Sequence, residues 1–212
     1  MELKEKLLSS FIAFENEYSS ENFFISELRN EAIKNFETTG FPSKKDENWK
    51  YTSLKKVLNK EFSIFPKNEH VVEYNKVQPY FIGDIDSYKI VFIDGKYASH
   101  LSQTTHEGID VCLMSAALSE PKYQLIIENY FNKIATQSGL NALNTAFCKE
   151  GAYIHIKKNR VSEKPIQIVH LCTGEDPALL LQPRNLIVVD ENAHVRIIER
   201  HQSMTKNPTL TN

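Results

Sequence analysis

Three cysteines and seven histidines are the side chains of this sequence with the widest chemical range, and their spacing limits what they can do. Cys112, Cys148 and Cys172 are far apart and odd in number, and no two have the C-x-x-C spacing of a zinc ribbon or a redox pair. Three distant thiols could still converge to hold a metal cluster, but the commoner use of an isolated cysteine is as a small buried hydrophobe. His100 and His106 are six residues apart in a polar stretch after a strand. His194 and His201 are seven apart, which puts them on opposite faces of an ideal strand. Neither pair has the H-x-x-x-H or H-x₃₋₅-H spacing that aims two imidazoles at one ion, so solvated or loosely hydrogen-bonded histidine is expected.

The remaining charged groups are equally bland. Asp190-Glu191 is the most acidic pair at a strand edge, and paired carboxylates on a strand face are what a polysaccharide-cleaving β-solenoid enzyme would use. Adjacent strand residues point to opposite faces, however, and in a turn both point to solvent, so a solvated acidic turn is the better reading. Lys55-Lys56 with Lys60, and Lys157-Lys158 with Arg160, lack interleaved aromatics and read as solvated faces or strand-edge protection. Only seven glycines occur, and none lies in a G-x-G-x-x-G or G-x-x-x-x-G-K-[ST] loop, so no standard nucleotide site is present. No catalytic, cofactor-binding or metal-binding residue is assigned.

The net charge of −2, with 25 basic against 27 acidic residues, does not ask for a nucleic-acid or anionic-membrane partner. The N-terminus MELKEKLLSS is amphipathic and charged rather than signal-like, and no stretch approaches the ~18 apolar residues of a membrane span. A cytoplasmic location is expected.

The elements that must position these side chains fall into unlike regions. Leu3, Leu7, Phe11, Phe14 and Tyr18 form one apolar stripe at helical spacing, and Ile25, Leu28, Ala32 and Phe36 a second. Gly40 supplies a left-handed cap and Pro42 prevents resumption, so an antiparallel helical hairpin is expected. Residues 43–80 are polar, with Pro66 and Pro79 and a short helix around Ser53–Leu58. Asp94-Gly95 between Lys89–Ile93 and Lys96–Leu101 signals a hairpin, because both turn residues tolerate positive φ. Tyr123–Ile134 is helix-like, with Leu125, Ile126, Tyr130 and Ile134 among its apolar positions, and Asn141–Phe147 suits another short helix.

From Ala152 the period changes to two. Ile154, Ile156, Ile166, Ile168, Val195 and Ile197 mark inward positions, and Leu186–Val189 is apolar on both sides, as a strand covered on both faces would be. Short strands broken at Glu163–Pro165 and Asp190–Asn192, without intervening helices, argue for an all-β stack. Only about four strands follow Ala152, and the sequence stops after a strand-like run, which favours a solenoid cut between rungs over a sandwich.

Two blocks of the sequence read together as a family signature. The first is Arg29-x-x-Ala32-x-x-x-Phe36, then Gly40-Phe41-Pro42, Glu47 and Trp49-Lys50-Tyr51-Thr52-Ser53-Leu54. The second runs from Asn141-Ala142-Leu143-Asn144-Thr145-Ala146-Phe147 through Gly151 and Pro165-Ile166 to Pro183-Arg184-Asn185-Leu186-Ile187-Val188-Val189 and Ile198-Glu199. Both blocks resemble the SufD family of iron–sulfur cluster assembly scaffolds, and the helical first block separates this family from its paralogue SufB. Read physically, Trp49 and Tyr51 lie two apart and in extended chain would anchor the loop together. Asn192 stands where the family often has glycine, and asparagine also tolerates positive φ.

The resemblance implies an α+β chain: an N-terminal helical lobe followed by a right-handed parallel β-helix, truncated. Residues 1–80 would be the helical region, 81–150 a mixed connecting region and 151–212 the first rungs. It implies a non-catalytic scaffold of the SufBCD complex, in which the full-length protein pairs with SufB and docks the SufC ATPase while the complex assembles Fe–S clusters. The family's interface cysteine belongs to SufB and its SufD histidine lies in later strands, so no site residue carries over. No cofactor is expected to be bound by residues 1–212, which are also expected not to bind SufC and to self-associate through the cut solenoid edge. The alternatives are a SufB-like scaffold and, more distantly, a solenoid carbohydrate-active enzyme.

Overall fold

The structure, a computed structural model, describes residues 2–18, 23–64, 69–103, 108–134, 138–175, 178–207 and 209–212. Pro66 and His106 lie outside the described residues. Two helices open the chain, α1 (Leu3–Tyr18) and α2 (Phe23–Thr39). Leu3, Leu7, Phe11 and Phe14 of α1 are buried as their spacing requires, as are Ile25, Ala32 and Phe36 of α2. Gly40 ends α2 with φ +63° and donates its N–H to the Phe36 carbonyl, closing the last turn. Two short helices follow, α3 (Lys55–Leu58) and α4 (Tyr74–Val77). A 3₁₀ turn over Glu47–Trp49 replaces the extended chain in which Trp49 and Tyr51 would share a face. Tyr51 is accordingly 91% exposed, and it does not anchor the loop.

Strand β1 (Tyr88–Ile93) turns through Asp94-Gly95 into β2 (Lys96–Tyr97), with Ile93 opposite Lys96. Both turn residues have positive φ, +49° and +81°, as a two-residue hairpin loop of the primed type demands. The buried Asp94 carboxylate then accepts hydrogen bonds from the Thr173 backbone N–H (2.8 Å) and hydroxyl (2.6 Å), fixing the hairpin tip to the end of a later strand. Strand β3 (Ile109–Leu113) leads into α5 (Met114–Ser119), α6 (Gln124–Tyr130) and α7 (Gly139–Phe147). Ser138 caps α7, its hydroxyl accepting from the Asn141 N–H at 3.2 Å. In and beside α6 the buried residues are Tyr123, Ile127 and Phe131, whereas Leu125, Tyr130 and Ile134 are exposed, so the helix presents a different face from the one its apolar residues suggest.

The strands after Ala152 are β4 (Ala152–Ile156), β5 (Ile166–Cys172), β6 (Leu179–Leu181), β7 (Leu186–Val189), β8 (Ile197–Ser203) and β9 (Thr209–Thr211). The chain is mixed in helix and strand, but the expected right-handed parallel β-helix is not what it forms. Among the described residues the strands divide into three small sheets, β2-β1-β5-β8, β3-β4-β7 and β6-β9, with no closed coil. Parallel pairs join β1 to β5, β4 to β7, β5 to β8 and β6 to β9, but β2 pairs antiparallel with β1 and β3 with β4, and β1 and β3 come from the segment read as a connector. Two-residue periodicity establishes that a segment is a strand; it carries no information about which strand lies beside it.

Layering follows from which face each residue takes. Ile90 and Phe92 of β1, Ile166 and Ile168 of β5, and Ala152, Ile154 and Ile156 of β4 make one core between the two larger sheets, with Val195 and Ile197 partly buried against it. The outer face of β1 and β5, through Val91, Ile93, Val169 and Leu171, packs on Val72, Val77 and Phe81. On the far side of β4 and β7, Tyr153, Leu186 and Val188 meet residues of α5 and α6. Leu186–Val189 is covered on one face only, since Ile187 and Val189 are partly exposed. The helices do not form a core of their own: Leu7, Phe14 and Phe36 share one with Leu143 and Phe147 of α7 and Leu180 of β6. Arg29, only 1% exposed, ties α2 to the end of α7 by donating to the Cys148 carbonyl at 2.8 Å.

Candidate functional site

The side chains with ligand character that the sequence singles out are scattered. Cys112 lies on β3, Cys148 follows α7, and Cys172 ends β5; all three are free. Burial raises the pKa of each thiol, which keeps it protonated and a poor metal ligand at neutral pH. Among the described residues no cluster of potential ligands includes a cysteine. His100 approaches the Val72 carbonyl at 2.9 Å, and His194 is exposed before β8, in an isolated bridge with Val161. Asp190 pairs with His155 at 2.9 Å and Glu191 with Lys158, so each carboxylate of the acidic turn has its own cation or imidazole. Lys55, Lys56, Lys60, Lys157 and Arg160 are exposed.

A different group does come together, around His170, which the spacing arguments pass over. Strand β5 is buried along its whole length, and its residues 166, 168 and 170 face the core between the two larger sheets. The parallel register places Phe92 of β1 and His201 of β8 on either side of His170. Phe92 and His170 stack with ring centroids 4.8 Å apart and planes 8° from parallel. The two imidazoles stack at 4.5 Å and 3°. These separations match the ~4.8 Å spacing of neighbouring strands, so the row is a direct product of pairing in register.

Glu199 lies two residues before His201 and therefore on the same face of β8. Its Oε1 is 3.0 Å from His201 Nε2 and 3.6 Å from His170 Nε2. Asn185 donates from Nδ2 to the same oxygen at 2.9 Å, while its Oδ1 accepts the Ala152 N–H at 2.7 Å. Glu199 and His201 are about two-fifths exposed at the open side of β8, whereas the His170 side chain is 6% exposed. Burial, and secondarily the neighbouring His201, push the His170 pKa down to about 4. The hydrogen bond with His201 leads the effects that hold Glu199 below the ordinary carboxylate range. The site thus holds a neutral buried imidazole beside an ionised carboxylate. His170 also borders a cleft of about 380 Å³, with Phe14, Phe92, Tyr97 and Phe147 among its walls.

The signal for this site was present in the sequence. Ile166 and His170 in one strand have the same separation as Ile197 and His201 in another, and each histidine shares a period-two face with that isoleucine, with Ile168 between them in the first strand and Glu199 in the second. Pairing each histidine with its nearest neighbour along the chain hides that correspondence.

Comparison with known proteins gives a consistent relationship. The family model describing the SufBD protein N-terminal region matches residues 1–168. An iron–sulfur cluster assembly SufBD family protein of Synechocystis sp. is 25% identical over 169 residues, which cover 79% of this chain and 37% of that protein. The iron–sulfur cluster assembly protein SufD of Escherichia coli K12 is 25% identical over 174 residues, covering 78% of this chain and 36% of the relative. The matched portion is therefore little more than a third of the length of either relative.

Proposed function

The chain belongs to the SufBD family, and from that membership we propose that it serves as a non-catalytic scaffold in cytoplasmic iron–sulfur cluster assembly, in a protein that pairs with SufB and docks a SufC ATPase. The observation that carries this reading is the family match over residues 1–168, which takes in both N-terminal helices, α7, β4 and the start of β5. The SufD name of the Escherichia coli relative favours the SufD role over that of a SufB-like paralogue. The carbohydrate-active alternative loses its acid–base pair, because Asp190 and Glu191 are engaged separately with His155 and Lys158. Among the described residues no helix is long and apolar enough to cross a membrane. Among the described residues, open edges at β7, β8 and β9 offer backbone groups for pairing with another chain, and self-association through them belongs to the same proposal.

The test is made in the host cell. An affinity tag on the chromosomal gene should recover SufB and SufC together with the tagged product. Deleting the gene should lower the activities of enzymes that need iron–sulfur clusters while their polypeptide levels hold. Recovery of neither partner, with cluster enzymes fully active in the deletion strain, would overturn the proposal.

A further inference from the structure

Among the described residues, one group of three potential ligands lies close enough together to share an ion, and the reading of its chemistry is independent of the family assignment. We propose that His170, Glu199 and His201 form a binding site for a single first-row divalent cation, held by two imidazole nitrogens and one carboxylate oxygen.

The first support is distance. One donor atom from each residue lies within 4.8 Å of the others, with Glu199 Oε1 at 3.0 and 3.6 Å from the two Nε2 atoms. Ligands about 2.0–2.2 Å from a common ion are roughly 3.0–3.5 Å from one another, so Glu199 is already nearly in place for both histidines. The larger adjustment falls to the imidazoles, whose parallel planes must tilt for both in-plane lone pairs to meet one ion. His201 has the freedom to do this, being about two-fifths exposed on a strand that, among the described residues, is paired on one side only.

The second support is an unsatisfied group. His170 is 5% exposed, and its Nε2 is buried without a hydrogen-bond partner. A buried polar atom left in this state costs about 1–3 kcal/mol, and an interior histidine kept only for packing would be expected to have a partner. The pairing of Glu199 with His201 accounts for those two residues and leaves His170 unexplained. A cation among the three satisfies the buried nitrogen and the carboxylate at once.

The surroundings suit ligation. Phe92 holds the inner face of His170, and Asn185 fixes Glu199 Oε1 through its own bond to the Ala152 backbone. Partners of this kind, behind the ligands, set their orientation and raise affinity. Two imidazoles with one carboxylate favour Zn²⁺, Fe²⁺ or Co²⁺ over Mg²⁺ and Ca²⁺, which prefer all-oxygen shells, and over Cu⁺, which prefers sulfur.

Metal-free chain, prepared with a chelator, should take up one equivalent of Zn²⁺ by calorimetry, and Co²⁺ should give visible d–d absorption. Both Glu199→Gln and His201→Asn should weaken Zn²⁺ binding by about tenfold or more, with circular dichroism unchanged because both residues lie at the accessible edge of β8. His194→Asn, exposed just before β8, should bind as the parent chain does. Mg²⁺ in large excess should not compete. No saturable binding, or binding that survives both Glu199→Gln and His201→Asn, would overturn the proposal. Loss of binding in His194→Asn alone would do the same by placing the ion elsewhere.

Discussion

Gly139, the first residue of α7, lies directly against the carbonyl of Gly40 at the end of α2: a Cβ at position 139 would be 1.7 Å from that oxygen. The obstacle is backbone, so it cannot rotate aside as a side chain would. The absence of a Cβ is what lets the end of one helix meet the start of the other, where Phe36 and Leu143 share a core.

Gly139→Ala should therefore destabilise the chain by about 2–3 kcal/mol, as an overpacked contact between elements does. Urea denaturation followed by circular dichroism measures it. Gly83→Ala is the control, since nothing lies within 4 Å of a Cβ there, and its effect should stay within about 0.5 kcal/mol. Equal midpoints for the two variants would show that the helix junction can open without cost.

Tyr153 gives a prediction of opposite sign. Its ring is fully buried and packs on Tyr123 with centroids 4.7 Å apart, but its hydroxyl is buried without a hydrogen-bond partner. Tyr153→Phe keeps the ring and removes the unsatisfied oxygen, so it should raise stability by about 1 kcal/mol. A loss of stability in the same denaturation experiment would mean that the hydroxyl has a partner in solution.

Alkaline pH should weaken the fold. Burial raises the thiol pKa values of Cys112, Cys148 and Cys172 and also that of Tyr153, and it pushes Tyr123 up to about 12. In the unfolded chain these groups release protons at their ordinary, lower pKa values. Above about pH 9 the unfolded state therefore binds fewer protons than the folded one, and stability falls as pH rises towards about 12. Melting temperature against pH should be level near neutrality and fall through that window. Replacing all three cysteines by serine would remove the thiol share of the slope.

The same thiols should be slow to react. Cys112 is half-buried and should be alkylated first, while Cys148 and Cys172 should react only as the chain unfolds. Anaerobic incubation with ferrous iron and sulfide should likewise leave no cluster absorbance attached to these cysteines. A stoichiometric cluster lost on replacing Cys112, Cys148 and Cys172 would sink this expectation, and it would be distinct from a single ion at His170.

The sequence by itself determined what depends on a few consecutive residues. Gly40 ends α2, Asp94-Gly95 closes a two-residue hairpin, and Asn192 sits at positive φ in its turn, because each conformation is set by the sterics of its own backbone. The period of two after Ala152 identified strands and inward positions such as Ile154 and Ile168, and the motifs around Arg29 and Asn141 carried the family. Tertiary structure decided everything that depends on neighbours distant in sequence. Among the described residues it assigned the strands to three sheets rather than a closed coil, because β5 and β4 reach back to pair with β1 and β3. It buried Ile127 rather than Leu125, because an apolar helix face is chosen by what it packs against. His170 and His201 stand face to face only because β5 and β8 pair in that register, and strand register is fixed by burial across the whole sheet, not by spacing along the chain.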